Sequence, residues 1–207
     1  MKNILKTLID YSLFEKYDKD YFINNKILPL FENDISIKMA VCKSSKLETI
    51  KNDFNKMISF LEIDELELLF MISHIDQKTL LYSMALKAIS QNSFEKYVDK
   101  FLQELLSFSI NLRASDIHIE QYKDVILFKF RIDGRLKTFF AFYSEFFKLI
   151  SSYIKLISTL DMTQIRLPQD GRFALNIEDK KYDFRVSTMP TLEAESIVLR
   201  ILDNKNI

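Results

Sequence analysis

Four arginines lie on or next to short apolar stretches near the carboxyl-terminal end of the sequence: Arg166, Arg172, Arg185 and Arg200. A guanidinium is permanently charged, and its planar fork matches the oxygens of carboxylates and phosphates. Alternation in YDFRVST and SIVLRIL predicts two strands, and if these are neighbours in one sheet, Arg185 and Arg200 share its polar face. The residues alone favour structural salt bridges with Asp170, Asp183 or Glu195, and they leave open a two-pronged phosphate site.

The composition argues against several other kinds of site. Lys+Arg 29 against Asp+Glu 29 leaves no net charge, so we expect no direct nucleic-acid binding. The single cysteine, Cys42, cannot form an intramolecular disulfide and fits a cytoplasmic protein. His74 and His118 are too few for a zinc site. No glycine precedes Gly134, so the first part of the chain contains no glycine-dependent phosphate loop.

The elements that position these residues are predicted to form two units, residues 1–89 and 90–207. In the first, the pattern predicts a helix over residues 1–17 and strands at KILPLFE, SIKMAVCK and ELELLFMIS. Ser44 or Ser45 is expected to cap a helix whose apolar positions extend to Met57 and Leu61. Asp76 is expected to cap a further helix, and the polar stretch 90–93 marks the boundary.

The second unit is predicted to be α+β, built around a mainly antiparallel sheet. An apolar stripe over residues 94–108 indicates a helix, and a strand and a hairpin that turns at Asp133-Gly134 follow. Ser144 is expected to cap a second helix, and three strands complete the unit. Gly134 and Gly171 are both interpreted as turn glycines.

Five motifs of the second unit carry a resemblance to a known family. They occur in the order ASDIHIE at 114–120, FRIDG at 130–134, RLPQDGR at 166–172, RVSTMP at 185–190 and VLRILD at 198–203. Together they resemble the second N-terminal domain of the type II secretion and type IV pilus assembly ATPases, the secretion-superfamily traffic ATPases. The resemblance implies a PAS-like fold for residues 90–207. More weakly, it implies that residues 1–89 are the family's variable first N-terminal α/β domain, which docks to a membrane platform.

The resemblance also implies a mechanism. In the family this domain closes over ATP and Mg²⁺ held by a catalytic domain, within a ring of six subunits. The resemblance places the family's two phosphate-contacting arginines at Arg185 and Arg200. No GxxxxGK[ST] loop is present here, so the chain is expected to be an N-terminal fragment of a longer ATPase or else a stand-alone non-catalytic relative. In either case we expect no catalytic residue, no metal site and no tightly bound nucleotide. Gln121 and Ala194-Glu195-Ser196 depart from the family pattern, the latter close to Arg200.

The implied partners are the protein's own C-terminal ATPase domain, neighbouring subunits of the hexamer, and inner-membrane platform or cytoplasmic membrane-adaptor proteins. These would belong to a secretion, pilus or DNA-uptake (competence) system, with the protein cytoplasmic and peripherally associated with the inner membrane. The remaining motif residues are expected to make structural or subunit contacts: Arg113, Asp116, His118, Arg131, Arg166, Asp170 and Arg172. A catalytic role for His118 is disfavoured because no nucleophile accompanies it.

Two further classes of function remain open. The chain is alternatively a docking module that binds a platform protein without contacting nucleotide. A regulatory cyclic-dinucleotide site in the first unit is disfavoured, because that unit contains neither glycine nor any arginine before Arg113.

Overall fold

The computed structural model describes residues 7–47, 50, 54–90, 94–192 and 194–202, which form two β-sheets and six helices. The helices are α1 (Leu13–Lys16), α2 (Lys19–Asn25), α3 (Glu65–Ile72), α4 (Ile75–Ser90), α5 (Phe94–Asn111) and α6 (Phe146–Ile157). The strands are β1 (Ile27–Glu32), β2 (Ser36–Val41), β3 (Met57–Glu62), β4 (Asp116–Gln121), β5 (Val125–Ile132), β6 (Arg135–Tyr143), β7 (Gln169–Ile177), β8 (Lys180–Pro190) and β9 (Glu195–Leu202).

The larger sheet has the strand order β6-β5-β4-β9-β8-β7, and every neighbouring pair is antiparallel. One face is apolar, and Phe128, Phe184 and Leu199, on three of its strands, are fully buried there. Helix α5 packs on this face through Phe101, whose ring centroid lies 5.3 Å from that of Phe128. The predicted α+β class and the mainly antiparallel sheet are therefore confirmed.

The smaller sheet pairs β1 with β2 antiparallel and β2 with β3 parallel. The predicted strand at ELELLFMIS is wrong, since this stretch forms helix α3. The carboxylate of Asp64 accepts the backbone N–H groups of Leu66 at 3.0 Å and Glu67 at 3.2 Å, which caps the helix and starts it at Glu65. The third strand comes earlier in the chain, at β3.

Two predicted helices in this region also differ from the structure. Of the helix predicted over residues 1–17, residues 1–6 lie outside the described chain, and the rest is helical only in α1. Asp10 accepts the N–H and O–H of Ser12, forming a local turn that precedes this short helix. In the helix predicted after Ser44, residues 47 and 50 are helical, while 48–49 and 51–53 lie outside the described residues. Met57 and Leu61 belong to β3 instead.

The predicted capping residues of two other helices are wrong in detail. Helix α4 begins at Ile75, so Asp76 lies in its first turn, where it pairs with Lys19 at 2.7 Å. Helix α6 begins at Phe146, and Ser144 contributes only its backbone carbonyl, which accepts the N–H of Phe147. Both helices are nevertheless present over the predicted stretches.

The chain's two glycines meet different structural requirements. Gly134 (φ 73°) follows Asp133 (φ 49°) in the β5–β6 turn, as predicted. Gly171 lies inside β7 and is not a turn residue, which corrects the prediction. A Cβ atom there would lie 2.9 Å from the backbone oxygen of Ser158 and 2.9 Å from Cδ2 of Leu160. Close approach of two chain segments therefore requires this glycine.

One apolar core connects the two sheets. Tyr11 stacks on Phe140 of β6 with ring centroids 5.1 Å apart, and Tyr82 of α4 meets Phe142 at 5.1 Å. These rings belong to the same cluster of buried residues as the apolar face of the larger sheet. Residues 91–93, most of the predicted boundary, lie outside the described chain, and the division into domains 1–89 and 90–207 stays a prediction.

Candidate phosphate-binding face

A row of charged side chains crosses five strands of the larger sheet at one register. Arg172 on β7 lies opposite Arg185 on β8, which lies opposite Arg200 on β9. Arg200 lies opposite Asp116 on β4, which lies opposite Arg131 on β5. Residues that lie directly opposite across antiparallel strands share a face, so these five residues, hereafter the arginine row, line one face. The shared face of Arg185 and Arg200 is thus present, as the alternation predicts.

Local sequence explains why the row faces outward. Phe173, Phe184 and Leu199 precede or follow arginines of the row along their strands and are buried on the opposite face. The period of two residues along a strand then turns each arginine away from the core. The β7–β8 turn consists of Glu178 and Asp179, both with positive φ, and this two-residue loop fixes the register of the hairpin.

Asp116 carries the single negative charge of the row and pairs with the arginine on each side of it. Its Oδ1 accepts a hydrogen bond from Arg200 Nε at 2.9 Å, and its Oδ2 lies 3.4 Å from Arg131 Nε. The hydroxyl of Ser115 donates to the same carboxylate at 2.8 Å. Burial raises the pKa of Asp116, but hydrogen bonds from Arg200 and Ser115 and the neighbouring guanidinium charges outweigh it and hold that pKa below its usual range. The carboxyl group is therefore ionised near neutral pH.

Arg172 and Arg185 have no such counter-ion. Both are exposed, and among the described residues neither forms an ion pair. They border a surface hollow of about 450 Å³. The hollow is lined by Arg172, Phe173, Ala174, Asp183, Phe184, Arg185 and Leu202. Because like charges placed directly opposite each other destabilise a sheet, this pair favours an anion between or above the two forks.

Asp170 and Glu195, two of the salt-bridge partners suggested by sequence, bind other residues instead. Asp170 accepts the hydroxyl of Ser187 at 2.5 Å. Glu195 pairs with Lys155 at 2.7 Å, with both side chains almost completely buried. Arg200 is paired, but with Asp116, a residue 84 positions away that sequence patterns did not connect to it.

The buried pair of Lys155 and Glu195 is a feature that the sequence did not reveal. It joins α6 to the first residue of β9, and Lys155 also donates to the backbone oxygen of Gln164 at 2.8 Å. An ion pair out of contact with water fixes geometry more than it adds stability. It holds the start of the strand that carries Arg200. No local spacing signals a partnership between residues 40 positions apart.

The other candidate residues lie around the row or away from it. His118 lies on the same face as Asp116, and burial together with the Arg131 charge lowers the pKa of His118. Arg113 lies after α5 in the left-handed region (φ 57°), and Arg166 lies in the exposed loop before β7. Neither of these two arginines belongs to the row.

The described part of the chain offers no group of three or more His, Cys, Asp and Glu side chains arranged to hold a metal ion. Within the same residues, no helix is both long enough and apolar enough to cross a membrane.

Comparisons with known proteins identify similar chains. The family model for "Type II/IV secretion system protein" matches residues 90–207. The Type II secretion system protein E of Aeromonas hydrophila is 42% identical over 108 residues, which are 52% of this chain and 22% of that protein. The Type II secretion system ATPase E of Vibrio cholerae is 39% identical over 104 residues, 50% of this chain and 21% of that protein.

The matched segment thus spans about a fifth of the length of these curated relatives. Among solved structures, the Legionella pneumophila ATPase DotB aligns with a TM-score of 0.39 and 20% sequence identity. That alignment covers 50% of this chain and 28% of DotB.

Proposed function

The chain belongs to the Type II/IV secretion system protein family, and from that membership we propose that it is the N-terminal part of a secretion, pilus-assembly or DNA-uptake ATPase. Its proposed role is to supply arginines to ATP held on a catalytic domain and to pass the resulting motion to an inner-membrane platform. By itself the chain is proposed not to hydrolyse ATP. In this proposal the protein is cytoplasmic and associates with the inner membrane through its partners.

The arginine row is the observation that supports this proposal. A guanidinium without a carboxylate partner suits a polyphosphate, and Arg185 has none among the described residues. Arg200 uses Nε on Asp116 at 2.9 Å, which leaves its two terminal nitrogens for an incoming oxyanion. Bound ATP with Mg²⁺ would provide the phosphoryl group that is transferred to water. Arg185 and Arg200 orient the phosphates and balance their charge.

Motion follows from the same contacts in this proposal. The arginine row binds one nucleotide state more tightly than the other. This difference in affinity shifts the sheet relative to the catalytic domain and to neighbouring subunits of a hexamer. Because Tyr11 and Tyr82 of the first unit pack against β6, displacement of the larger sheet carries the described residues of the first unit with it. Such a movement is a rigid-body transition of the hinge or shear type.

A docking module without nucleotide contact is the alternative. Exposed apolar side chains of the first unit favour it, since Ile35, Met57 and Leu66 are each more than 70% exposed. The carbonyl of Ile35 accepts the N–H of Met57 at 2.9 Å, so two of the three are neighbours. Exposed apolar groups of this kind suit a protein partner, here a platform or membrane-adaptor protein.

A chimeric ATPase tests the proposal. Residues 90–207 replace the corresponding segment of the Aeromonas hydrophila protein, to which the chain is 42% identical over 108 residues, and ATP hydrolysis is measured. We expect Arg185→Ala and Arg200→Ala each to lower kcat at least about 100-fold, the usual effect of removing a donor to developing charge. Arg135→Ala, at an exposed arginine on the far edge strand, is the matched control and leaves the rate unchanged.

An inactive chimera with the wild-type sequence, or variants at positions 185 and 200 that hydrolyse ATP at the wild-type rate while folded, contradicts the proposal. The second result favours the docking module. Circular dichroism and thermal unfolding of each variant establish that the sheet is intact.

A further inference from the structure

We propose that Arg172 is a phosphate-binding residue and that it forms, with Arg185, the primary polyphosphate site of the chain. This inference deepens the proposed function and relies on it only for the identity of the polyphosphate as that of a nucleoside triphosphate. Arg172 is thereby assigned a role in binding, whereas its motif suggested only a structural or subunit contact.

The first argument is charge balance along the row. Arg131 and Arg200 share the carboxylate of Asp116, at 3.4 Å and 2.9 Å from its two oxygens. Arg172 and Arg185 lie opposite each other with no ion pair among the described residues. The uncompensated charge of the row is therefore centred between β7 and β8. An anion drawn to this face meets these two guanidiniums before it competes with Asp116 for Arg200.

The second argument is shape. The hollow of about 450 Å³ is bordered by Arg172 and Arg185, and Arg200 does not line it. Neighbouring strands are about 4.8 Å apart, so two adjacent forks reach successive phosphate groups of one polyphosphate chain. Asp183 also lines the hollow, and its carboxylate disfavours a second anion at that end. The site consequently accepts a phosphate chain that lies across Arg172 and Arg185, away from Asp183.

The third argument is the energetic cost of the arrangement. Two arginines directly opposite on antiparallel strands repel each other, and β7 is an edge strand that could carry any polar residue at position 172. Among the described residues neither arginine forms an ion pair, although the Asp183 carboxylate lines the same hollow. Retaining a destabilising pair on a solvent-exposed face is typical of a binding site rather than of a structural contact.

Binding of tripolyphosphate, ATP and AMP to the 207-residue chain, measured by calorimetry at low ionic strength, tests this assignment. We expect tripolyphosphate and ATP to bind comparably and AMP to bind at least about tenfold more weakly, because the phosphate chain provides the contacts. Arg172→Ala and Arg185→Ala should each weaken tripolyphosphate binding about tenfold or more. Arg200→Ala should have a smaller effect, and Arg135→Ala none.

A stability measurement separates binding from folding. Without ligand, Arg172→Ala should melt at or above the wild-type temperature, since it relieves like-charge repulsion. Tripolyphosphate should raise the melting temperature of the wild type and not that of this variant. Arg172→Lys should bind with intermediate affinity, because an ammonium keeps the charge but not the fork.

The assignment is overturned if the wild type does not bind tripolyphosphate, if AMP binds as tightly as ATP, or if Arg172→Ala binds like the wild type. In the last case Arg185 and Arg200 retain their proposed role, and only the part assigned to Arg172 is lost. Conversely, a chain that binds tripolyphosphate through Arg172 while chimeras altered at positions 185 and 200 hydrolyse ATP normally would sustain this site and refute the proposed motor function.

Discussion

Glu32, at the end of β1, has a carboxylate that contacts three other side chains. Lys16 lies 2.5 Å from its Oε2 and Lys56 lies 2.8 Å from its Oε1, and the hydroxyl of Tyr17 also donates to it. Burial raises the pKa of Glu32, but these hydrogen bonds outweigh it and lower that pKa from 4.5 to about 2. The carboxylate thus ties α1, β1 and the residue that precedes β3.

We expect Glu32→Gln to lower the free energy of unfolding at pH 7 by about 2 kcal/mol, a value reduced for the solvent exposure of Lys16. A lowered pKa means that the folded state binds the proton less tightly than the unfolded state. The stabilisation is therefore fully present above pH 4.5 and is lost as the pH falls toward 2. Urea unfolding of both proteins between pH 7 and pH 2 measures this convergence.

Glu15→Gln, at an exposed glutamate of α1, is the matched control and should change stability little at any pH. A difference between wild type and Glu32→Gln that stays constant down to pH 2 would show that packing of the side chain, not its charge, is what matters.

Some residue contacts of the row follow from local sequence, whereas others require the strand order. A two-residue turn at Glu178 and Asp179 would have been enough to place Arg172 opposite Arg185, because register in a hairpin counts outward from its loop. The pairing of Arg200 with Asp116 requires β9 to lie beside β4. Nothing local encodes that neighbour relation, so the counter-ion of Arg200 was not predictable.

At the scale of elements, Gly171 allows strand β7 to lie close to the segment that follows α6. We expect Gly171→Ala to destabilise the chain by about 1–3 kcal/mol, since the new Cβ would meet the backbone oxygen of Ser158, which cannot rotate away. Because Arg172 is the next residue, the variant should also weaken tripolyphosphate binding. Urea unfolding and calorimetry measure the two effects.

Gly134 provides the comparison, since it has open space around it but a positive φ of 73°. Asn tolerates that conformation better than Ala, so Gly134→Asn should be milder than Gly134→Ala. At position 171 the order reverses, because Asn is the larger side chain. Equal stability of Gly171→Ala and the wild type would mean that the two segments separate easily.

Helices and strands were predictable where the periodicity of apolar residues extends over many residues, and were not predictable where it covers only a few. Strands β7, β8 and β9 show sustained alternation, and α5 and α6 show apolar stripes over many residues. The apolar run ELELLFMIS is too short to distinguish strand from helix by periodicity. Asp64 followed by Glu67 is the helix-start signal that would have resolved it, since the structure shows Asp64 capping α3.

At the scale of the whole molecule, the predicted division at residues 89 and 90 meets a continuous aromatic interface. Tyr11 is fully buried and stacks on Phe140, and the ammonium of Lys78 lies 4.9 Å from the ring centroid of Phe139. Lys78 also donates to the carbonyl oxygens of Phe70 and Met71 near the end of α3. Composition and periodicity identify these residues as apolar or charged, but they cannot show that the two units bury them against each other.

This interface predicts that the chain unfolds as one unit. Tyr11→Ala should lower the free energy of unfolding by about 3–5 kcal/mol, as expected for a buried ring deleted from a packed core. A single transition should persist in both proteins, with equal calorimetric and van't Hoff enthalpies. Leu192→Ala, at a fully exposed side chain of the β8–β9 turn, should leave the transition unchanged.

Two separate transitions, of which Tyr11→Ala shifts only one, would instead establish residues 1–89 and 90–207 as independent domains. In that case movement of the arginine row could not be passed to the first unit through a shared core, and a flexible connection would have to replace it.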